Sequence, residues 1–252
     1  MHEHLFDLTD KVAVVTGGSR GLGREMVLAF AAAGADVVIA SRKAEACEAV
    51  AAEVTEVTGR TAVAHPCHVG DWDAVGGLAD AAYDRFGRVD ILVNNAGMSP
   101  LYPSLSEVSE ELWDKVLGVN LKGPFRLSAV VGERMAAADG GSIINVSSIA
   151  GSRPTPVEVP YGAAKAGLEN LTFSLSKAFA PKVRVNCIAA GPFLTDISKA
   201  WDMAAFETSA KTGIALQRGG RPDEVVGTAL YLASEASSYL TGAVIPLDGN
   251  AR

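Results

Sequence analysis

The stretch Thr16-Gly17-Gly18-Ser19-Arg20-Gly21-Leu22-Gly23 constrains this chain most, because it falls between the apolar run Val12-Ala13-Val14-Val15 and the amphipathic segment from Arg24 to Ala33. A strand, a glycine turn and a helix start make the first half of a βαβ unit, and a second apolar run, Val37-Val38-Ile39-Ala40, arrives at the spacing that unit needs. Gly17 can supply the tight turn, Gly21 removes a side chain that would hold backbone away from a pyrophosphate, and Gly23 lets the helix lie close to its strand. The amides at the helix start then meet the phosphates. Glycines alone would also make a plain turn before a packed helix; the strand before and the helix after them point to a dinucleotide.

Beyond this turn the chain alternates apolar strands with amphipathic helices, without a Pro/Ser-rich linker or an internal repeat. Strands are expected near 12–16, 36–41, 61–65, 89–94, 142–147, 183–188 and 243–247. Helices are expected near 21–33, 43–58, 71–86, 107–137, 160–180 and 222–233, with starts such as Asp71 or Ser106-Glu107. This pattern predicts one α/β domain over 1–252: a Rossmann-like, doubly wound parallel sheet of about seven strands with helices on both faces. Its ligands belong outside the carboxyl ends of the strands. The mixed segment 193–221, with Trp201, Met203 and Phe206, is too long for an ordinary connection and reads as a lid or pocket wall.

With 22 basic against 29 acidic residues, the net charge is −7 and no basic block appears, so a nucleic-acid backbone or an anionic membrane is repelled on average. The N-terminus lacks the basic-then-apolar order of a signal peptide, and no apolar run is long enough to span a membrane, so a cytoplasmic protein is expected. Cys47, Cys67 and Cys187 read as reduced thiols rather than metal ligands. Cys67 beside His68 is the nearest thing to a ligand pair, and neighbours on a strand point to opposite faces.

The second strand ends in Ser41-Arg42-Lys43, where an acidic side chain would accept from a free ribose 2′-hydroxyl. Arg42 and Ser41 instead suit a 2′-phosphate, with Arg20 a second cation in reach, so NADP is expected over NAD. The competing reading makes Arg42 and Lys43 solvated residues at a helix start, where cations oppose the dipole. Asn94-Asn95-Ala96-Gly97 ends the fourth strand and could line the cofactor path or simply turn the chain. Asn120, among apolar neighbours in a helix, implies a local kink or a water network.

Ser147-Ser148 ends the fifth strand, and Tyr161 and Lys165 follow on one face of a helix. A phenol ordinarily ionises near 10, but an adjacent ammonium favours its phenolate, so the pair can exchange a proton near neutral pH. Spacing alone would equally describe two surface neighbours. The four histidines, His2, His4, His65 and His68, offer no Ser-His-Asp set, which argues against a hydrolase.

Together, the glycine turn, Asn94-Asn95-Ala96-Gly97, Asn120, Ser148 and Tyr161-Gly162-Ala163-Ala164-Lys165 resemble the short-chain dehydrogenase/reductase family in order and spacing over nearly the whole chain. The resemblance implies Tyr161 as general acid in reduction and base in oxidation, and Ser148 as the hydrogen-bond donor to the substrate oxygen. Lys165 would bind the nicotinamide ribose and lower the Tyr161 pKa, and Asn120 would hold a relay water. Cofactor contacts are implied at Gly17, Ser19, Arg20, Gly21, Leu22, Gly23, Ser41, Arg42, His68, Val69, Asn94, Ala96, Gly97, Tyr161, Lys165, Gly191 and Thr195. The chain departs from the pattern at His68, where members commonly carry Asp, at Ala190 before Gly191, and in the ending Leu247-Asp248-Gly249-Asn250.

The reading that follows is an NADP-dependent reductase of a small carbonyl compound, a ketone or 3-oxoacyl group. For an acidic carrier, the helix end Ala136-Ala137-Ala138-Asp139 lacks a basic patch, leaving Lys182 and Arg184 as candidate contacts. Sugar-acid or polyol dehydrogenation is the second chemistry, with Arg153 either meeting an anionic substrate or solvated on a loop. A non-catalytic nucleotide-binding regulator is the reading from another class. The resemblance also implies a homotetramer built on helices 107–137 and 160–180 and on the C-terminal strand. Thr155, Val157, Val159, Ile197, Trp201 and Phe206 suggest an apolar pocket wall.

Overall fold

Successive residues of an extended run leave a sheet on opposite faces, and here both faces are filled with helices. The computed structural model describes residues 3–196, 198 and 201–251. Its strands are β1 (Val12–Thr16), β2 (Asp36–Ser41), β3 (Ala62–Pro66), β4 (Ile91–Asn94), β5 (Gly141–Ser148), β6 (Val183–Ala190) and β7 (Val244–Leu247). They form one parallel sheet in the order β3-β2-β1-β4-β5-β6-β7. The helices are α1 (Gly21–Ala32), α2 (Ala44–Thr58), α3 (Trp72–Phe86), α4 (Glu110–Leu117), α5 (Gly123–Ala137), α6 (Val159–Ala178), α7 (Met203–Gly213) and α8 (Val226–Ala233).

The row Ile39, Val15, Val93 and Ile144 packs with Met26 and Phe30 of α1, Val50 of α2 and Leu232 of α8. The next row, Val38, Val14, Leu92, Ile143 and Val185, packs with Leu78 of α3, Leu127 and Val131 of α5 and Leu175 of α6. Each such side chain contributes about 1.5–3 kcal/mol by leaving water. The strand order reverses between β1 and β4, so a crevice opens at their carboxyl ends.

Near that edge the second row turns polar. Asn94 donates to Ser128 of α5 at 2.8 Å and to Asn145 of β5 at 2.9 Å, and Asn145 donates to Thr172 of α6 at 2.9 Å. All four residues are buried. A satisfied buried network fixes geometry more strictly than apolar contact does, and this one ties α5 and α6 to the sheet below the crevice.

Three helix expectations need correction. The region 107–137 is not one helix: a 3-10 turn spans Leu105–Glu107, and α4 starts from Ser109, whose hydroxyl accepts from Leu112 N at 3.1 Å. A π turn, Gly118–Lys122, then separates α4 from α5. The region 222–233 opens as a 3-10 turn, Pro222–Val225, with the Glu224 carboxylate accepting from Arg221 N at 2.7 Å. Within 193–221 lies α7, capped by Asp202, which accepts from Ala205 N at 3.0 Å. Only Ala210 of α7 is buried, so little apolar periodicity marked it.

The rings of Trp201 and Phe206 meet at a tilt with centroids 5.2 Å apart, and Phe206 packs on a small cluster of Ala210, Ile214 and Ala251. Ile197 lies outside the described residues. β3 ends at Pro66, so the strand argument does not apply to Cys67 and His68, although Cys67 is buried and His68 exposed. The three cysteines are buried and free, and burial pushes the thiols of Cys67 and Cys187 up to about 11 and about 12. Among the described residues, no helix is long and apolar enough to cross a membrane.

Candidate active site

The glycine turn lies at the carboxyl end of β1, as expected. Gly17 has φ +66°, a conformation costly for side-chain-bearing residues, and a Cβ on Gly23 would come within 2.2 Å of Gly17 O. Any side chain there would lift α1 off its strand. Thr16 Oγ1 accepts from Asn95 N at 3.0 Å and Ala96 N at 3.1 Å, and Asn95 Nδ2 donates to Thr16 O at 3.0 Å. The loop after β4 thus pins the turn after β1. Arg20 occupies the cap of α1 and its side chain accepts no hydrogen bond from the first-turn amides, which include those near Gly21 and Leu22. An open helix start beside a glycine turn fits a pyrophosphate.

At the end of β2, Ser41 Oγ lies 2.8 Å from Ser19 Oγ, and the Cys47 thiol donates to Ser41 Oγ at 3.3 Å. Arg20 and Arg42 are exposed and form no ion pair among the described residues, whereas Arg24, one turn along α1, is held by Glu25 and Glu53. Two hydroxyls in contact thus lie at the end of β2, where the sequence places Arg42 directly after Ser41. His68 is exposed, with Nδ1 accepting from Gly70 N at 3.2 Å, and Val69 beside it is buried. The side-chain amide of Asn94 turns into the buried network below the crevice. On the far side, Gly191 N donates to Leu247 O at 3.0 Å, and a Cβ on Gly21 would lie 3.4 Å from the Thr195 side chain. Thr195 therefore reaches across to the glycine turn.

The sequence-predicted chemistry converges between these walls. Asn120, in the π turn, donates to Val116 O at 2.9 Å and Met98 O at 2.8 Å and accepts from Met98 N at 3.2 Å. The expected kink is real, and its product is a side chain that clamps the loop after Gly97. A Cβ on Gly97 would lie 2.9 Å from Asn120 Oδ1 and 3.6 Å from Lys165 Nζ, so the three residues meet.

Ser147 and Ser148 diverge as adjacent strand residues should. Ser147 Oγ donates to Lys165 O at 3.1 Å and to Glu169 Oε1 at 3.0 Å. Ser148 Oγ accepts from Ala150 N at 3.2 Å, and its hydroxyl is near enough to the Tyr161 phenol to favour the phenolate. Lys165 Nζ donates to Val146 O at 2.7 Å and stands 5.5 Å from the centre of the Tyr161 ring.

Burial dominates the ionisation of both groups. It drives the Tyr161 phenol up to about 12, against the Ser148 hydrogen bond that favours the phenolate, and the charge of Glu158 adds to the rise. Burial also lowers the Lys165 ammonium to about 8, against the nearby Cys187 and Glu169. The expected lowering of the Tyr161 phenol by Lys165 is not among these influences.

Arg153 is exposed on the loop after β5, as one of its two readings had it, and is paired there with Asp248 at 3.2 Å. Lys182 donates to Ala138 O at 2.8 Å, and Arg184 donates to Ser237 Oγ at 2.6 Å and Leu232 O at 3.0 Å. Both lie at the start of β6, at the opposite end of the sheet from Ser148.

Sequence reasoning missed Asn95, Glu169, Glu158 and Tyr102. Glu169 carried a signal, one turn beyond Lys165, and Asn95 carried one in its pairing with Asn94. The Tyr102 hydroxyl donates to Pro156 O at 3.1 Å and accepts from Val159 N at 2.8 Å, tying two distant loops over the site. Nothing local in sequence announces that strap.

Residues 17–250 match a family model described as Enoyl-(Acyl carrier protein) reductase. The chain is 39% identical over 248 residues to Dehydrogenase/reductase SDR family member 4 of Bos taurus, covering 96% of this chain and 87% of that protein. It is also 39% identical over 243 residues to the 3-oxoacyl-[acyl-carrier-protein] reductase of Chlamydia trachomatis, covering 96% and 97%. A crystal structure of the 3-oxoacyl (acyl-carrier-protein) reductase of Agrobacterium tumefaciens with NADP bound superposes with a TM-score of 0.93 at 33% identity, covering 99% of this chain and 97% of that one.

Proposed function

Because the chain belongs to the short-chain dehydrogenase/reductase family, whose members act on CH–OH groups with NAD(P), we propose that it is an NADP(H)-dependent reductase of small carbonyl compounds. The observation that carries this reading is the convergence of Ser148, Tyr161 and Lys165 at the end of β5, facing the crevice beside the glycine turn.

The bound nicotinamide would supply the hydride. Ser148 would hold the substrate oxygen, and Tyr161 would deliver a proton to it as the alcohol forms. A phenol held near 12 is protonated throughout the physiological range, which suits a proton donor. Lys165 would hold the nicotinamide ribose and, when charged, stabilise the phenolate left behind. Asn120 would fix the backbone from which a relay water returns the proton. The segment 193–221 would wall the substrate side.

Two observations refine the substrate. Lys182 and Arg184 are engaged at the far end of the sheet, which favours a free carbonyl compound over a carrier-bound 3-oxoacyl group. The pairing of Arg153 with Asp248 weakens the case for an anionic sugar acid.

The NADP preference rests on Ser41, Arg42 and Arg20. Replacing Arg20 and Arg42 together with alanine should raise the NADPH KM by about tenfold or more, as loss of charge-assisted phosphate contacts implies, and should alter the NADH KM far less. Equal effects on both nucleotides would make the arginines surface charges. For assembly, the exposed aromatics Trp113 of α4, Phe125 of α5 and Phe173 of α6 support the homotetramer. Light scattering that returned a monomer would remove that part of the reading.

A further inference from the structure

Helix α6 carries Tyr161 in its first turn and Lys165 in its second, and its own sequence provides poorly for that first turn. The opening amides of a helix have no acceptor within it, and the side chain of the residue before it ordinarily serves one of them. Here that residue is Glu158, whose φ of −145° and ψ of 36° lie outside the extended conformation from which a capping side chain reaches, and its carboxylate accepts no helix amide. Its hydrogen bond is instead with Thr155 Oγ1, at 3.3 Å. Pro160, next but one, has no amide to offer. The start of α6 is therefore left to a group from elsewhere in the chain.

That group is the Tyr102 phenol, 57 residues before Val159. Its oxygen accepts from Val159 N, the first amide of α6, at 2.8 Å and donates to Pro156 O, in the loop just before the helix, at 3.1 Å. One hydroxyl thus holds both sides of the turn into α6. Tyr102, Leu112 and Val116 of α4, and Pro160 and Tyr161 border a single gap too small for a water, so the ring is packed against the same turn that its hydroxyl caps.

The loop that bears Tyr102 is itself fixed. Thr16 Oγ1 holds Asn95 N and Ala96 N, and Asn120 holds Met98 through both its backbone groups. The Tyr102 hydroxyl is therefore carried on backbone tied to the glycine turn at one point and to the π turn at another.

We propose that Tyr102 is a positioning residue for the proton donor: its hydroxyl holds the first turn of α6 in place and so keeps the Tyr161 phenol beside Ser148. The inference rests on the carbonyl-reductase reading and adds to it a residue that acts only through Tyr161. A first turn deprived of its cap frays before the rest of the helix does, and a misplacement of about 1 Å in a reacting group can cost on the order of 10²-fold in rate. Lys165 lies one turn deeper and is held by Val146 O, so the loss falls on the proton step and spares the nucleotide.

The test uses Tyr102→Phe, which keeps the ring and removes the hydroxyl. Amide hydrogen exchange over 157–163, read by mass spectrometry on the nucleotide-free proteins, should quicken by about fivefold, the scale of one lost cap, while the second half of α6 exchanges as before. The peptide has the same sequence in both proteins, so intrinsic exchange rates cancel. With the fastest ketone substrate of wild type, kcat should fall by about tenfold, and the KM values for ketone and NADPH should change little. In the Tyr161→Phe background, Tyr102→Phe should leave the residual rate where it was, because the group it positions is gone. A general loss of stability, or a direct contact between Tyr102 and the ketone, would lower that residual rate as well.

Unchanged exchange over 157–163, an effect confined to KM, or an equal further loss in the Tyr161→Phe background overturns the proposal. Quickened exchange in Tyr102→Phe, with no ketone reduced by wild type, would keep Tyr102 as the anchor of α6 and defeat the reductase reading. Reduction of ketones by wild type at a kcat that Tyr102→Phe leaves unchanged would do the reverse.

Discussion

Tyr161→Phe should lower kcat/KM for ketone reduction by about 10²- to 10⁴-fold, the range contributed by a positioned acid–base group. The substitution removes one oxygen and keeps the ring that stands 5.5 Å from Lys165 Nζ, so the fold and the nucleotide crevice should persist. The loss should therefore fall mainly on kcat, because Ser148 can still hold the carbonyl oxygen while nothing delivers the proton. Single-turnover rates at saturating NADPH measure this directly. Turnover close to wild type would mean that the proton comes from elsewhere.

Lys165→Met should be comparably severe for activity and should change stability in a way that betrays the native lysine. Burial lowers the Lys165 pKa from 10.5 to about 8. Between those values the unfolded chain holds a proton that the folded chain has released, so this group's contribution to stability rises with pH through that window. Below about pH 8 the folded protein keeps a buried ammonium, and the penalty is fully present. The stability difference between Lys165→Met and wild type, from denaturant titrations of the nucleotide-free proteins, should thus favour the variant most near neutrality and shrink toward pH 10. A difference independent of pH would show that Lys165 is not destabilised by burial.

The two predictions share a cause, since the same low-polarity pocket that makes Tyr161 a proton store makes Lys165 expensive to keep charged. The surrounding bonds explain why the arrangement holds. Val146 O takes the ammonium, Ser147 joins Lys165 O to Glu169, and the Asn94-Asn145 network below fixes β4 and β5 against α5 and α6. Geometry is over-determined there while charge is left unsatisfied, a division expected of a site that completes itself with ligands.

Local signals in the sequence account for the sheet, because each strand is an apolar run and each face has its own alternation, as in Val14 against Ala13 and Val15. They also account for the convergence of Ser148, Tyr161 and Lys165, since strand alternation separates Ser148 from Ser147 and helical spacing joins Tyr161 to Lys165. The break near Asn120 was legible as an anomaly, but its form was not: the π turn depends on Met98, which is 22 residues away. The inward turn of Asn94 was hidden for the same reason, its partners being Ser128 and Asn145. α7 escaped because it buries almost nothing, and the pairing of Arg153 with Asp248 joins residues 95 apart. What local sequence withholds is the contact between polar groups distant in the chain.

The most direct measurement is the loss of nicotinamide absorbance when wild type and Tyr161→Phe meet a panel of neutral, cationic and acyl-thioester ketones, with NADPH and NADH in parallel. The account predicts Tyr161-dependent consumption of NADPH, faster than that of NADH, with free ketones ahead of thioesters. Consumption that survives in Tyr161→Phe, or none with any ketone under conditions where NADPH binds, would contradict it.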